Sequence, residues 1–270
     1  MGPRCYSPGS AGTVGSDERE NAVCELLGLS ALRPTDVNRS VALLRPRGGE
    51  IGPHGDGWGL AFYEGRAARV FKEPIPAAES RCLALIAQYD FRSTIVIGHI
   101  RKANPPQFAR AVANTHPFSR ELGGRSWVFA HNGKLAGVKE DPRFELRRFR
   151  PIGETDSEHA FCFLLDRLAV AGDGMVSGKG DPVAALEEPV ALLSGLGELN
   201  FLMSDGIHLF VFANTTLHEV HRRCVQEHCD QHVVLLTTTP LTEEQWRPVE
   251  PRRLHLFAGG TEIHRIGAAA

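Results

Sequence analysis

Long apolar runs are missing from this 270-residue chain. None approaches the roughly 20 residues of a bilayer-spanning helix, so a helical membrane protein is not expected. An excess of base is missing as well: 30 Lys and Arg stand against 32 Asp and Glu, a formal charge of -2. With a pI near 6.6 there is no field to hold a phosphate backbone, and neither nucleic acid nor an anionic membrane surface is an expected partner. Cysteine is sparse. The six, Cys5, Cys24, Cys82, Cys162, Cys224 and Cys229, are scattered through apolar segments, the pattern of reduced core thiols in a cytoplasmic protein. Cys224 and Cys229 lie near His221, His228 and His232, but Cys-x₄-Cys has no matching second pair. A zinc ribbon is therefore not expected, and the group reads as a loop between two strands with adventitious metal binding as the residual alternative. No metal and no cofactor are called for.

The first 23 residues lack apolar periodicity and the apolar core of a signal peptide. They read as a disordered leader or as sequence upstream of the true start. Arg outnumbers Lys and Ala, Gly and Pro are abundant, which suggests GC-rich coding in which GTG often starts translation. Val23 is then the expected start, with Glu18-Arg19-Glu20 encoded by purines at the distance of a ribosome-binding site. A true leader, retained or cut by a protease, is the alternative. The question matters because of Cys24, which heads the run Cys24-Glu25-Leu26-Leu27-Gly28-Leu29-Ser30. If Cys24 is residue one, its α-amine, with a pKa of about 8, is a base at hand for its own thiol.

At 42% apolar residues the chain has the composition of a globular protein with a sizeable core. Strand-type runs are expected at 24–30, 58–63, 68–71, 95–100, 127–130, 201–204, 208–213, 233–238 and 253–257. Helical patterns fall near 36–44, 81–89, 157–170 and 182–196. In the third, Phe161, Leu164, Leu165 and Leu168 form one apolar stripe at i, i+3, i+4 and i+7. Helices come in pairs between clusters of strands, which favours an α+β fold of mostly antiparallel sheets covered by helices. No repeat or linker divides 24–270, so one domain is expected there. Residues 172–181 read as a mobile surface loop and 267–270 as a frayed end.

Four motifs follow Cys24: Asp56-Gly57-Trp58-Gly59, His99-Ile100-Arg101, His131-Asn132-Gly133 and Gly153-Glu154-Thr155-Asp156-Ser157-Glu158. Each has a bland reading. Asp-Gly-Trp-Gly is a glycine-permitted bend with a core Trp, and structure is favoured over chemistry there. Asn-Gly supplies the φ angles of a tight hairpin turn. A strand-end Arg is usually solvated, and Thr155 with Glu158 has the spacing of a capping box. His99, His116 and His131 read as satisfied strand-end histidines rather than bases.

Taken together with Cys-Glu-Leu-Leu-Gly and Asn-Thr-His-Pro-Phe (residues 114–118), the motifs resemble class II glutamine amidotransferases, which are N-terminal nucleophile hydrolases, and most closely the stand-alone YafJ-type family. The resemblance runs from Cys24 to the last strand. It implies a four-layer αββα sandwich in which Cys24 opens a central strand. It also implies Cys24 as nucleophile, Asn132 and Gly133 as oxyanion donors, and Arg101 and Asp156 as partners of a substrate's α-carboxylate and α-ammonium. Thr115 and His116 join the substrate-binding set, and Arg47 resembles an Arg near the family's nucleophile. Two departures touch the pocket: Lys102 replaces a Trp found after this Arg in many amidotransferases, and Pro105-Pro106 mark an insertion. The expected substrate is glutamine, hydrolysed to glutamate and ammonia, with any ammonia acceptor a separate enzyme. Another γ-glutamyl amide of thiol metabolism is the alternative, and a binding protein whose nucleophile stays blocked by the leader is the non-enzymatic one.

Overall fold

Alternating apolar residues, rich in β-branched and aromatic types, set most of the chain into strands. The computed structural model describes residues 24–102, 110–171, 182–226 and 229–267. The expectations for 1–23, for the Pro105-Pro106 insertion, for 172–181 and for the last three residues lie outside that set.

In chain order the elements are β1 (Glu25–Thr35), α1 (Asn38–Leu44), β2 (Gly57–Glu64), β3 (Ala67–Glu73), α2 (Arg81–Ile86), β4 (Ser93–Arg101), β5 (Phe118–Leu122) and β6 (Arg125–Leu135). Then follow α3 (Asp156–Val170), α4 (Pro182–Ser194), β7 (Gly197–Ser204), β8 (Leu209–Ala213), β9 (His218–Gln226), β10 (Cys229–Thr237), β11 (Arg247–Pro248), β12 (Arg253–Ala258) and β13 (Thr261–Gly267). A seven-stranded sheet runs β11-β9-β10-β1-β4-β2-β3, and a six-stranded one runs β13-β12-β8-β7-β6-β5. Every strand pairing described is antiparallel.

Three apolar layers hold four structural ones together. Leu26, Ile97, Ala130, Leu202, Val234 and Phe257 fill the space between the sheets. Leu27, Leu29, Val41, Trp58 and Leu83 seal α1 and α2 onto the seven-stranded sheet. Phe129, Phe161, Leu165, Leu186 and Phe201 seal α3 and α4 onto the other. This is the αββα sandwich, with β1 in the middle of its sheet and Trp58 in the core. No helix among the described residues is long and apolar enough to cross a membrane.

All nine expected strands and all four helices are present. The sequence pattern misses β5, β9, β11 and β13, three of which are sheet edges and the fourth the neighbour of one. Charged and polar residues dominate them because solvent takes one face, so it is ladder pairing and not apolar alternation that specifies them. The expected loop around Cys224 and Cys229 is corrected by the same finding: Cys224 lies in β9 opposite Gln231, and Cys229 opens β10. The helix α3 departs from a one-sided amphipathic pattern, being buried from Ser157 through Asp166. Its polar side is covered by the preceding loop, where Asp166 accepts hydrogen bonds from the backbone N–H groups of Arg147, Arg148 and Phe149 at 2.6, 2.8 and 3.2 Å.

A buried histidine pair differs from the sequence expectation. The rings of His99 on β4 and His116 lie 4.2 Å apart between centroids. They are 1% and 5% exposed, yet beyond a weak contact of His99 with the His131 backbone no ring nitrogen of either is hydrogen-bonded among the described residues. They are core rings, not satisfied ones. Burial pushes His99 down to about 3 and His116 well below the ordinary value, with the neighbouring Arg101 and the other rings acting in the same direction. His131 is lowered by burial too.

His99 and His116 stay neutral in the folded chain, and His131 is shifted the same way, while the unfolded chain binds protons below about pH 6.5. Stability is therefore full above that pH and is lost as pH falls from about 6.5 towards the depressed folded values. Each such histidine adds a slope of about 1.4 kcal/mol per pH unit in that window. Urea unfolding at pH 7, 6 and 5 is expected to show a loss between 6 and 5 steeper than one proton's worth, and His99→Gln to reduce that slope by about one proton. A flat profile from pH 7 to 5 would contradict the burial of neutral rings.

Candidate active site

Antiparallel pairing of β1 with β4 sets Glu25 opposite Ile100, which brings Cys24, just ahead of β1, beside Arg101 and Lys102 at the end of β4. The Cys24 Sγ accepts a hydrogen bond from the Lys102 backbone N–H at 3.2 Å and donates to the Lys102 carbonyl at 3.3 Å. The thiol is on the wall of a pocket of about 220 Å³ that also exposes Arg101, His116, His131, Gly133 and Asp156. Burial pushes its pKa up to about 11, outweighing the Lys102 amide and the Arg101 charge that favour the thiolate. Such a thiol is ionised in only about one molecule in ten thousand at pH 7, so it needs a base to act as a nucleophile.

Arg101 is 5% exposed and is held from below by Asp56. Its carbonyl accepts from the Asp56 N–H at 3.1 Å, and its Nη1 donates to the Asp56 carbonyl at 3.4 Å. Desolvation lowers the pKa of the guanidinium, opposed by the thiol and by Asp56. The Asp56 carboxylate pairs with Arg110 at 3.4 Å. The glycines of Asp-Gly-Trp-Gly have a specific cause here: a Cβ on Gly59 would sit 2.2 Å from the His116 carbonyl oxygen. Strand β2 passes directly under the Asn114–Pro117 stretch. His116 reaches the pocket wall, but Thr115 does not: it is fully buried, and its hydroxyl donates to the Ala111 carbonyl at 2.8 Å.

His131-Asn132-Gly133 is not a turn. All three residues lie inside β6, with Asn132 opposite Asn200 and Gly133 opposite Leu199 on β7. Gly133 is required by a φ of +144° and by the Glu198 carbonyl oxygen, which a Cβ would meet at 2.0 Å. The Asn132 side-chain amide is 1% exposed and points at Cys24, donating to its carbonyl oxygen and, at 3.3 Å, to the hydroxyl of Thr238. Gly133 thus faces the pocket, and Asn132 reaches the Cys24 main chain.

Asp156 opens α3 and is fixed by two backbone donors. Its Oδ2 accepts from the Leu135 N–H and its Oδ1 from the Ser157 N–H, both at 2.8 Å. Half of the expected capping box forms: the Thr155 hydroxyl accepts from the Glu158 N–H at 3.1 Å. The other half does not, because Glu158 turns to the Gly153 N–H at 2.7 Å and to a buried ion pair with Arg120 at 2.5 Å. His131 closes the same corner. Its Nε2 faces the Glu198 carbonyl at 3.1 Å and so carries the proton, which leaves Nδ1 to accept from the Ser157 hydroxyl at 2.8 Å. The start of α3 is thereby locked to the strand that carries Asn132 and Gly133.

Arg47 is brought to Glu25, the neighbour of Cys24, and does not line the pocket. It donates to the Thr239 and Pro240 carbonyls at 3.1 and 2.7 Å and pairs with Glu25 at 3.5 Å. Its fork straps the segment after β10 to the start of β1. Burial raises the pKa of Glu25, while Arg47 and the Thr239 hydroxyl favour its charged form. Sequence reasoning missed Glu25, Ser157, Asn200 and Thr238, four polar residues that brace the site. Ser157 stood in a visible motif, but Thr238 is 212 residues from its partner Leu26 and carried no local signal.

The family model for class II glutamine amidotransferases matches residues 23–230. Among curated proteins, YafJ of Escherichia coli K12 is 40% identical over 262 residues, covering 89% of this chain and all of that one. Among solved structures, a predicted glutamine amidotransferase of Pseudomonas aeruginosa superposes with a TM-score of 0.66 at 36% identity, over 89% of this chain and 100% of that one. The glutamine phosphoribosylpyrophosphate amidotransferase of B. subtilis, at 17% identity and a TM-score of 0.61, shares the fold over 91% of this chain and 49% of its own. A family match over most of the length, and 40% identity to a relative covered from end to end, establish that this chain belongs to the class II glutamine amidotransferases.

Proposed function

We propose that the chain hydrolyses the γ-carboxamide of glutamine to glutamate and ammonia through a γ-glutamyl thioester on Cys24. The observation that carries this reading is the convergence of Cys24, Arg101, Gly133 and Asp156 on one pocket, although they are spread over more than a hundred residues of sequence. Arg101 offers a rigid fork for the α-carboxylate, and Asp156 keeps lone pairs for the α-ammonium beyond the two backbone bonds it accepts. Cys24 is the first residue of the working protein. Its free α-amine takes the thiol proton, the sulfur attacks the γ-carbonyl carbon, and the Gly133 N–H with the Asn132 amide stabilises the oxyanion. The amine returns the proton to departing ammonia, and water then cleaves the thioester to glutamate. The ammonia goes to a separate acceptor enzyme, and from the isolated chain it is released to solvent, water accepting the γ-glutamyl group in either case.

Intact mass of the native protein is expected to correspond to a chain beginning at Cys24, and a glutamine-like electrophile to add its mass there alone. Cys24→Ala should abolish turnover with little loss of thermal stability. An active protein that retains residues 1–23 would sink the α-amine mechanism, and a blocked, inactive native chain would favour the binding-protein reading.

Arg101→Lys is expected to raise KM for glutamine by about tenfold or more, because a point charge replaces a bidentate fork. Asp156→Asn should raise KM likewise, and it should also lower the melting temperature by a few degrees, since its new NH₂ must face either the Leu135 or the Ser157 N–H. Lower stability with unchanged KM would assign Asp156 to the helix start alone.

Comparing kcat/KM for glutamine with that for larger γ-glutamyl amides should favour glutamine. A preference of about a hundredfold for a bulkier amide, nearly 3 kcal/mol in transition-state binding, would move the substrate while keeping the nucleophile.

A further inference from the structure

Thr238 follows β10 directly and is 7% exposed. Its hydroxyl oxygen lies 3.0 Å from the Leu26 backbone nitrogen and 3.3 Å from the Asn132 amide nitrogen. The orientation of that amide follows from chemistry. Asn132 also touches the Cys24 carbonyl, which only accepts, so the NH₂ end must face it. An NH₂ group only donates, and a backbone N–H only donates, so the Thr238 hydroxyl accepts from both and uses both of its lone pairs. A single oxygen therefore ties the third residue of the nucleophile's segment, in the seven-stranded sheet, to the oxyanion Asn in the six-stranded one. The Thr238 main chain is fixed in turn, its N–H donating to the Leu26 carbonyl at 3.4 Å and its carbonyl facing His218 Nδ1 at 2.9 Å.

Both N–H groups of the Asn132 amide are thus engaged, one by Cys24 and one by Thr238. An amide that donates to a substrate oxyanion must release one of them. We propose that Thr238 is a positioning residue that holds the Asn132 carboxamide in plane while its other N–H passes from the Cys24 carbonyl to the developing oxyanion. The proposal rests on the glutaminase reading for its catalytic consequence, but the anchoring of the amide does not. Without the hydroxyl, the amide turns about its last side-chain torsion, and the oxyanion loses alignment at the moment when charge develops. Ground-state binding through Arg101 and Asp156 is untouched. The effect belongs in kcat.

The test uses the full chain with a free Cys24 and compares Thr238→Val, which keeps shape and removes the acceptor, with Thr238→Ser, which keeps the acceptor. Thr238→Val is expected to lower kcat for glutamine by about tenfold or more, within the loss of roughly a hundred- to a thousandfold for a whole oxyanion donor. KM should stay within about threefold, and Thr238→Ser should return kcat to within about threefold of wild type. In an Asn132→Ala background, Thr238→Val should add nothing, since it acts through the amide that is gone. An equal loss of kcat in both backgrounds, or no rescue by serine, would overturn the proposal. If Thr238→Val does not fold, Thr238→Ala takes its place under the same criteria. With ¹⁵N-asparagine labelling, the Asn132 side-chain protons should exchange faster with solvent in Thr238→Val than in Thr238→Ser. Identical exchange would overturn the anchor even with no turnover to measure, whereas slow exchange in a wild type that leaves glutamine intact would overturn the glutaminase reading alone.

Discussion

Burial of β1 on both faces and along both edges is the constraint on which the packing and the pocket both depend. Its side chains alternate between two cores: Leu26 enters the space between the sheets, while Leu27 and Leu29 pack beneath the helices α1 and α2. Each fully buried leucine contributes about 2 kcal/mol through the apolar area it removes from water. Gly28 is part of the same fit, since a Cβ there would meet a Leu202 methyl at 3.0 Å. A strand held this way has no freedom to slide by one residue without exchanging its two cores. Cys24, one step outside it, inherits that rigidity.

Burial dominates the surroundings of the thiol for the same reason. Packing two sheets face to face excludes water, which raises the Cys24 pKa and lowers those of His99, His116 and His131. None of these rings is suited to take a proton from sulfur near neutral pH, and none makes a hydrogen bond to it among the described residues. Two charged groups of the pocket are held by main chain: Arg101 by the Asp56 backbone, Asp156 by the N–H groups of Leu135 and Ser157. Backbone partners fix both side chains in position.

Much of this was legible locally. The runs that became β1, β2, β4, β6 and β10 are apolar because a central strand is buried on both faces. Glycine at 133 and at 59 was visible as a motif, but the reason for each was not: a carbonyl from elsewhere in the chain, Glu198 on β7 and His116 before β5, occupies the place of a side chain. The Asn-Gly pair looked like a turn because the same φ preference serves a turn and a strained strand position alike. The histidines looked like satisfied strand ends because sequence does not reveal that two of them face each other.

The sequence by itself determined the family resemblance, the layered α+β class, the central strands, and the choice of Cys24, Arg101 and Asp156, which the fold brings to one pocket, since these rest on residue types and short spacings. Tertiary structure alone decided which polar groups meet across the two sheets. Arg47 reaches Glu25 and the segment after β10, Thr115 turns inward, and Thr238 binds both Leu26 and Asn132. Those contacts join positions far apart in the chain, and a hydrogen bond depends on atoms being brought within about 3 Å. No local pattern encodes that distance; only the closed stack of sheets sets it.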